Sequence, residues 1–491
     1  MAETYQLFID GRWRPAAGGA TLPATNPYNQ EVHAHIAVAG AADVEEALAA
    51  ARRAFASWGR TSPGARAKLL NRLADLIDAD AERLALLETT DNGKVIRETS
   101  NQMGYAARLF RYYAGWADKV TGDVVALDQA DTAGLALREP YGVVACITAW
   151  NSPVAILCNT LPAALAAGNC VIVKPSEHAS VTTLEIARLC EKAGFPAGVV
   201  QVVTGAADTG ATLTGSPLID KVSFTGSPGV GRAIGAAAAA NLKPVALELG
   251  GKSPNIIFDD ADFDRALIGA LAGIFGATGQ TCIAGSRLLV QRGVYARMVE
   301  GLASRAAQIR LGDPRLAETE MGTAANAPQF DKILSFIAAA KGDGARLVAG
   351  GGRASGPGLD RGFFVEPTIF ADVRNDMTVA AEEIFGPVLS IIPFDEEEEA
   401  LAIANATPYG LASGVWSQNI DRCMRMMRGI RAGVVWVNTY RVAAPQLPFG
   451  GMKDSGHGRV RGHAGILEFT QTKTVFIDYS GDRRDPFSMK F

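Results

Sequence analysis

The run Val143-Val144-Ala145-Cys146-Ile147 opens the series of short apolar segments that decides the fold. Similar runs follow at residues 171–173, 199–203 and 221–224, and stretches with helical spacing separate them. Short β-branched runs that alternate with helices are typical of a parallel sheet covered on both faces. Such a sheet is the usual support for a bound dinucleotide. We therefore expect a nucleotide-binding α/β domain.

A second alternation follows Gly251, with apolar runs at residues 255–258, 288–290, 389–392 and 433–437. The spacing is again typical of strands separated by helices, so it predicts a second parallel-sheet α/β domain. No internal repeat links the two halves of the chain.

The two ends of the chain carry other patterns. Residues 43–58 and 62–90 have apolar residues at steps of three and four, so each predicts one amphipathic helix, with Asp43 and Ser62 as caps. Residues 473–479 alternate like a strand. A terminal edge strand has to be covered, and a partner subunit is one way to cover it.

Composition limits the function classes. The chain has 491 residues, of which 48% are hydrophobic, enough for about three domains. A net charge of −4 gives no reason to expect nucleic acid or an anionic membrane as a partner. The six cysteines form no Cys-x-x-Cys pair and no metal-ligand cluster, which favours the reducing cytoplasm and no metal. No secretory signal or membrane span is apparent.

One cysteine stands out for its surroundings. Cys282 lies in Gly279-Gln280-Thr281-Cys282-Ile283-Ala284-Gly285, and Glu248 precedes it in the chain as a potential base. A cysteine among small residues is more often an apolar filler, but small neighbours also let a ligand approach the backbone closely. A thiolate attacks carbonyl carbon, so acyl or aldehyde chemistry competes with cysteine hydrolase chemistry. None of the five histidines lies in a recognised hydrolase motif.

The segment Phe224-Thr225-Gly226-Ser227-Pro228-Gly229-Val230-Gly231 follows a predicted strand and precedes a predicted helix. The amide groups at a helix N-terminus favour phosphate there. The pattern is neither a G-x-G-x-x-G fingerprint nor a P-loop, so it does not by itself decide a nucleotide role.

Seven motifs taken together resemble the aldehyde dehydrogenase superfamily, of the NAD(P)-dependent, non-acylating type. They are Ile-Thr-Ala-Trp-Asn-Ser-Pro at 147–153, Lys-Pro-Ser-Glu at 174–177, Phe-Thr-Gly-Ser at 224–227, Glu-Leu-Gly-Gly-Lys at 248–252, Gly-Gln-Thr-Cys at 279–282, Glu-Glu-Ile-Phe-Gly-Pro at 382–387 and Pro-Phe-Gly-Gly at 448–451. The match covers nearly the whole chain.

The resemblance implies that Cys282 attacks an aldehyde to form a thiohemiacetal, and that a thioester is then hydrolysed to the acid. Glu248 matches the general base of the family. Asn151 matches a side-chain amide that completes an oxyanion hole with the backbone N–H of Cys282. A neutral donor suits an oxyanion that exists only during the reaction.

The resemblance also implies the cofactor contacts. Lys174 and Glu177 match positions that hold the adenosine ribose, where a carboxylate disfavours a 2′-phosphate. NAD is therefore expected, with NADP as a less favoured alternative. The other expected contacts, on the nicotinamide, pyrophosphate and adenosine, are Trp150, Gly226, Ser227, Gly231, Leu249, Glu383 and Phe385.

The chain departs from many relatives on the substrate side. Ser152 and Ala443 replace aromatic residues, and Asn159-Thr160 replaces a Trp-Lys pair. The loss of these bulky side chains predicts a wider substrate pocket, and therefore a bulky, aromatic or functionalised aldehyde. Arg441 is a potential carboxylate receptor, which keeps a carboxylate-bearing semialdehyde as an alternative substrate. The remaining residues expected to line the pocket are Tyr105, Thr281, Ile283 and Phe449.

The expected architecture is α/β, with two parallel-sheet Rossmann-like domains and a small β oligomerisation hairpin and arm. Residues 1–118 and 140–249 are assigned to the dinucleotide-binding domain, 250–440 to the catalytic domain and 441–469 to a return segment. Residues 119–139 and 470–491 are assigned to subunit contacts, in a homodimer or homotetramer. A CoA-acylating enzyme, a non-catalytic scaffold and a cysteine hydrolase remain as less favoured alternatives.

Overall fold

Strands form four sheets in the computed structural model, which describes residues 2–481 and 487. Within these residues the strands are β1 Glu3–Tyr5, β2 Leu7–Ile9, β3 Arg12–Arg14, β4 Thr21–Thr25, β5 Val32–Ala37, β6 Asp123–Val125, β7 Thr132–Pro140, β8 Val143–Thr148, β9 Cys170–Pro175, β10 Val200–Val202, β11 Lys221–Thr225, β12 Val245–Glu248, β13 Pro254–Ile257, β14 Arg287–Gln291, β15 Arg346–Ala349, β16 Thr368–Ala371, β17 Val388–Phe394, β18 Ala412–Trp416, β19 Val434–Val437, β20 Gly456–His457 and β21 Thr470–Asp478.

Helices fill most of the intervals between strands. They are α1 Ala41–Trp58, α2 Pro63–Ala79, α3 Ala81–Asn92, α4 Ile96–Ala114, α5 Pro153–Ala167, α6 Val181–Ala193, α7 Ala207–Gly215, α8 Pro228–Ala239, α9 Phe263–Phe275, α10 Arg292–Ala306, α11 Ala327–Gly342, α12 Thr378–Ala381, α13 Glu397–Asn405, α14 Ile420–Gly429 and α15 Gly462–Leu467. None of the helices in the described part of the chain has the length and apolar content needed to cross a membrane.

The first large sheet has eight strands in the order β20-β12-β11-β8-β9-β10-β2-β3. Its five central strands, from β12 to β10, are parallel, and antiparallel strands close both edges. All residues of β8 and β9 are buried, which explains why they are continuous apolar runs and do not alternate with polar residues.

The second large sheet has seven strands in the order β15-β16-β17-β14-β13-β18-β19. All its pairs are parallel except β15 with β16. The sequence prediction of an α/β fold with two parallel-sheet units is therefore confirmed. The exact domain boundaries stay a prediction.

A small antiparallel sheet, β21-β7-β6, joins the predicted hairpin to the C-terminal strand. Strand β21 is almost entirely exposed, and so are Val124, Phe476 and Ile477. Of the predicted arm at 470–491, residues 482–486 and 488–491 lie outside the described residues. The fourth sheet, β1-β5-β4, lies near the N-terminus.

Two predictions about the N-terminal helices are wrong. The segment 62–90 is not one helix, because it breaks at Asp80 between α2 and α3. Asp43 is not the cap of α1 but lies inside its first turn, where its carboxylate accepts from the Gly40 N–H at 3.0 Å. Ser62 does cap α2, since its hydroxyl accepts from the Ala65 N–H.

The carboxyl ends of the parallel strands set the location of the site. Trp150 and Asn151 follow β8, Gly226 follows β11, and Glu248 is the last residue of β12. Parallel strands end at one edge of their sheet, where α/β proteins bind ligands. Because these residues lie at or just after the ends of parallel strands, their side chains meet at one edge of the sheet.

Candidate active site

A cavity of about 1330 Å³ brings together most of the residues predicted from the sequence. Those that line it are Tyr105, Trp150, Asn151, Ser152, Asn159, Gly226, Ser227, Glu248, Leu249, Thr281, Cys282, Ile283, Glu383, Phe385, Arg441, Ala443 and Phe449. Lys174, Glu177 and Gly231 are not among its lining residues. Its volume exceeds the few hundred Å³ to about 1,000 Å³ of a typical small-molecule pocket, as a site for two molecules would require.

The loop that carries Cys282 has an unusual backbone. It runs from α9 through a 3₁₀ turn, Gly276–Gly279, to β14, and Ala277 and Thr278 have φ of 54° and 55°. Positive φ is uncommon for such residues and persists only where the surroundings enforce it. Gly279 has φ of 67°, and a Cβ there would overlap the Gly386 carbonyl. The loop is thus pressed against its neighbours just before the thiol.

Gln280 ties this loop to the body of the protein. Its Nε2 donates to the Thr323 carbonyl at 3.0 Å, and its Oε1 accepts from the Ala325 N–H at 2.9 Å. Its own carbonyl accepts from Asn151 Nδ2 at 2.8 Å. An amide nitrogen carries two hydrogens, so Asn151 keeps one for another acceptor. Asn151 is therefore held beside Cys282 with a donor to spare.

The Cys282 thiol is protonated at neutral pH in the absence of ligands. Burial raises its pKa to about 12, and the nearby Glu383 and Glu248 carboxylates add to the increase. The other five cysteines, Cys146, Cys158, Cys170, Cys190 and Cys423, are buried, whereas Cys282 is partly exposed to the cavity. Accessibility, and not a low pKa, distinguishes this thiol.

Glu248 is a buried carboxyl group without a hydrogen-bond partner among the described residues, at either oxygen. Burial raises its pKa well above the ordinary value, although Arg459 and Arg461 oppose the increase. A carboxyl group with a raised pKa binds a proton readily near neutral pH, as acid–base catalysis requires.

The second carboxyl group of the site, that of Glu383, is held by the backbone at Gly250 and Gly251, where no other side chain would fit. Its Oε1 accepts from the Gly251 N–H at 3.0 Å, and a Cβ on Gly250 would overlap its carboxylate. Phe385 has φ of 60°, and its ring meets Trp150 edge to face at 5.3 Å. Gln329 Nε2 donates to the Phe385 carbonyl at 2.9 Å and holds this loop.

The glycine-rich segment after β11 forms a helix N-terminus at the cavity. Ser227 caps α8 by accepting from the Val230 N–H, and the Gly226 N–H donates to the Glu248 carbonyl at 3.1 Å. Gly231 lies against Leu249, where a Cβ would be 2.6 Å from the leucine Cδ2. The free amide groups of this turn and the helix dipole favour an anionic group.

Lys174 and Glu177 form a pair at the end of β9. The Lys174 Nζ donates to the Pro175 carbonyl at 3.0 Å and lies 3.7 Å from Glu177 Oε2. Burial lowers the pKa of Lys174. The pair is close enough to act together on one ligand group.

Ser152 connects a buried polar network to the cavity. Its hydroxyl contacts Lys94 Nζ. With the Gln102 amide oriented to satisfy both ends, Gln102 accepts from Lys94 Nζ and donates to Glu88 Oε1, each at 3.0 Å. Burial raises the pKa of Glu88 to about 7, and Lys94 counteracts that increase. The cavity surface at Ser152 is therefore polar, whereas an aromatic side chain at this position would make it apolar.

Asn159 positions an arginine that also lines the cavity. Its Oδ1 accepts from Arg461 Nε at 2.8 Å. The guanidinium carbon lies 5.4 Å from the centre of the Tyr105 ring and 4.8 Å from that of Phe449. Two aromatic faces and one amide therefore hold Arg461 in place.

Arg441 lies elsewhere on the cavity lining, against Gly276, and its Nη1 donates to the Ala272 carbonyl at 3.1 Å. Ala272 is in the last turn of α9, whose carbonyls lack partners within the helix. Arg441 therefore satisfies a helix C-terminus.

Sequence reasoning missed Lys94, Gln102, Gln280 and Arg461. For Arg461 a signal was present, because Gly458-Arg459-Val460-Arg461-Gly462 places two arginines close after the Phe449-Gly450-Gly451 motif. The others have no local signal, since their roles depend on contacts with distant parts of the chain.

Comparison with known proteins agrees with this geometry. Residues 13–475 match the model of the aldehyde dehydrogenase family. The chain is 44% identical to (Z)-2-((N-methylformamido)methylene)-5-hydroxybutyrolactone dehydrogenase of Acinetobacter baylyi, over 99% of this chain and 100% of that protein. It is 42% identical to betaine aldehyde dehydrogenase of Bacillus subtilis, over 97% of each.

A solved structure gives the same result for the fold. Betaine aldehyde dehydrogenase of Staphylococcus aureus, in complex with NAD+, superposes with a TM-score of 0.97 at 38% identity, over 99% of this chain and 97% of that one. The family predicted from the seven motifs is thereby confirmed. The chain belongs to the aldehyde dehydrogenase family.

Proposed function

We propose that the protein oxidises an aldehyde to a carboxylic acid with NAD+, through a covalent intermediate on Cys282. The observation that carries the proposal is one cavity in which an accessible thiol, an unpartnered buried carboxyl and a free amide donor converge. Family membership supports the reaction class. In the overall reaction, aldehyde, NAD+ and water give carboxylate, NADH and two protons.

Cys282 acts as the nucleophile in this proposal. The thiol first loses its proton, and its raised pKa means that a base has to take it. Glu248 is suited to that task, because its own raised pKa makes it a better proton acceptor when ionised. The thiolate sulfur then bonds to the aldehyde carbon and gives a thiohemiacetal.

Asn151 stabilises the oxygen of that adduct. The Nδ2 hydrogen that is not bonded to the Gln280 carbonyl is available to the developing oxyanion, together with the backbone N–H of Cys282. The Gln280 contacts prevent the loop from moving away from Asn151. Asn151 is thus held in position before the reaction starts.

The residues of the other half of the cavity fit a dinucleotide. This part of the cavity is narrow at Gly250, where no side chain fits, and aromatic at the Trp150–Phe385 pair. The amide groups at the start of α8 add an anion-binding position. When bound there, NAD+ would supply the acceptor for the hydride that leaves the thiohemiacetal carbon. Glu383 would orient the nicotinamide end, and Ser227 the phosphate end.

Hydrolysis completes the cycle. Loss of hydride leaves a thioester at Cys282, and water has to attack its carbonyl carbon to release the acid. Glu248 accepts the proton of that water, and the proton returns to Cys282 or to solvent. One carboxyl group can serve both steps because its pKa lies above that of an exposed glutamate.

The Lys174–Glu177 pair supports NAD+ over NADP+. A carboxylate at a ribose accepts hydrogen bonds from the hydroxyls and repels a 2′-phosphate. Lys174 is bonded to the Pro175 carbonyl and lies near Glu177, so its charge is partly balanced before any phosphate arrives. NADP+ is the expected weaker alternative.

The substrate side supports a bulky or functionalised aldehyde. Ser152, Asn159 and Ala443 leave space in the cavity, and the first two add polar atoms. Thr281 and Ile283 flank the nucleophile, and Tyr105 and Phe449 supply aromatic surface. Small apolar aldehydes would leave much of this volume unfilled.

Subunit association through β21 is a further part of the proposal. The strand is exposed along an edge, with Phe476 and Ile477 outward, and such an edge favours pairing with a second copy. We expect a homodimer or homotetramer. The six unpaired cysteines support a reducing compartment such as the cytoplasm.

The experiment is a steady-state assay of NADH absorbance with aliphatic, aromatic and carboxylate-bearing aldehydes, with NAD+ and NADP+ in parallel. The proposal predicts acid product without added coenzyme A and higher kcat/KM with NAD+. Folded protein that binds NAD+ but oxidises none of these aldehydes would contradict it.

A further inference from the structure

We propose that Arg461 is the receptor for a carboxylate at the far end of the substrate, so that the enzyme acts on semialdehydes of dicarboxylic acids. The inference rests on the proposed function and adds the substrate class and the residue that selects it. The sequence had suggested Arg441 for this task, and the structure favours Arg461 instead.

No described carboxylate forms an ion pair with Arg461. Only its Nε makes a side-chain hydrogen bond to a described residue, at the Oδ1 of Asn159. Arg461 lines the cavity, and its two terminal nitrogens make no hydrogen bond to a described residue. Together they form the fork that binds a carboxylate through two parallel hydrogen bonds.

The neighbouring side chains hold the orientation of the Arg461 guanidinium and do not neutralise its charge. The rings of Tyr105 and Phe449 lie at 5.4 and 4.8 Å from the guanidinium carbon, and the Asn159 oxygen sets its rotation. The charge of Arg461 opposes the increase in the pKa of Glu248, but the two side chains form no ion pair. A preorganised guanidinium loses little freedom when a ligand binds.

Three other cations, two of them on the cavity lining, have hydrogen-bond partners. Arg441 donates to the last turn of α9, and Lys94 is bonded to Ser152 and Gln102. Arg459 Nη1 donates to the Gly451 carbonyl at 2.9 Å and to the Gly458 carbonyl. Only Arg461 among these four combines an open fork with a fixed position.

The aldehyde and the carboxylate would therefore occupy one cavity between Cys282 and Arg461. Asn159 contributes twice, since its small side chain leaves room and its oxygen holds the arginine. An apolar side chain at this position could not accept from Nε.

The test compares succinate, glutarate and adipate semialdehydes with their methyl esters, which keep the aldehyde and remove the charge. We expect kcat/KM of the best semialdehyde to exceed that of its ester by about 100-fold, the effect of a charged hydrogen-bonded contact. In Arg461→Gln this ratio should fall to within about 3-fold of unity, mostly through KM, and Arg461→Lys should be intermediate.

Arg441→Gln is the matched control, since it removes an arginine from the same cavity and should keep most of the ratio. A wild-type ratio near one, or a ratio lost in Arg441→Gln and kept in Arg461→Gln, would overturn the inference while leaving aldehyde oxidation intact. Absence of turnover with every aldehyde would instead overturn the proposed function.

A measurement on the wild-type protein alone avoids any effect of the substitutions on folding. Monomethyl adipate, which has one carboxylate, and dimethyl adipate, which has none, are compared as inhibitors competing with a neutral aldehyde. The monoester should inhibit at least about 10-fold more tightly, and more weakly as salt screens the contact. Equal inhibition by the two esters would contradict the role of Arg461.

Discussion

The two halves of the cavity are built in different ways. On the cofactor side, the backbone packs directly against neighbouring groups. A Cβ at Gly250 would overlap the Glu383 carboxylate, and a Cβ at Gly279 would overlap the Gly386 carbonyl. On the substrate side, the surface consists of side chains such as Ser152, Asn159 and Arg461. Backbone contacts permit few replacements, whereas cavity side chains can change without moving the chain. We therefore expect the first half to fix the reaction and the second to select the substrate.

Replacing Cys282 with alanine should have the largest effect, since both halves serve this atom. We expect kcat for NADH formation to fall by at least about 10⁴-fold, as for the loss of other enzymatic nucleophiles, with NAD+ binding retained. Titration of NAD+ by calorimetry checks the second point. Cys423→Ala, at a buried cysteine bonded to the Ser417 carbonyl, is the control. Residual activity of a few per cent would remove Cys282 from its role.

Replacing Glu248 with glutamine should lower kcat by at least about 100-fold, because proton transfer is lost while the shape of the side chain is kept. Stopped-flow records of NADH formation show whether thiol activation or hydrolysis becomes limiting. A rate close to that of the wild type would exclude this carboxyl group as the base.

The raised pKa of Cys282 predicts the pH dependence of its alkylation. A raised pKa means less thiolate at a given pH, so with a pKa of about 12 the reactive fraction is small at neutral pH and grows as pH rises. Inactivation by iodoacetamide without cofactor should accelerate about tenfold per pH unit between about pH 7 and 9. A plateau in this interval would show that the thiol is already ionised.

Gly250→Ala tests the close contacts of the cofactor side. The new Cβ overlaps the Glu383 carboxylate, so we expect KM for NAD+ to rise about 10-fold and stability to fall by about 1–3 kcal/mol. Gly235→Ala, inside α8 with open space around its Cα, should instead be neutral or slightly stabilising. Equal effects of the two substitutions on KM would remove the basis for the comparison.

Ala443→Phe tests the substrate side, where we expect a loss of activity with bulky aldehydes and no loss of stability. The added ring fills cavity volume, so kcat/KM for bulky aldehydes should fall by about 10-fold. KM for NAD+ is expected to stay close to that of the wild type, since Ala443 lies on the substrate side. A loss of NAD+ affinity larger than the loss of aldehyde selectivity would show that the halves are coupled.

The sequence predicted the features that depend on local pattern. Strands β8 and β9 are continuous apolar runs because both of their faces are buried, and Gly226 comes shortly after the run predicted at residues 221–224, which lies in β11. It did not predict the break at Asp80, because the apolar spacing continues across it into α3. Helix periodicity alone does not show where a chain changes direction.

The contacts of the site were less predictable. Gln280 reaches Thr323 and Ala325, and Arg461 reaches Asn159, over more than 40 and 300 residues of sequence respectively. Nothing local distinguishes such a glutamine from a solvent-exposed one, and the only local signal for Arg461 is its position shortly after the Phe449-Gly450-Gly451 motif. The tertiary fold decides which polar side chains meet, and the sequence pattern records only their order.

Intact-mass spectrometry of the Glu248→Gln protein, mixed with NAD+ and an aldehyde, tests the central claim most directly. Slow hydrolysis should let a thioester accumulate, with a mass increase equal to the acyl group located at Cys282 by peptide mapping. A burst of NADH equal to the enzyme concentration with no adduct, or an adduct on another cysteine, would contradict the covalent mechanism.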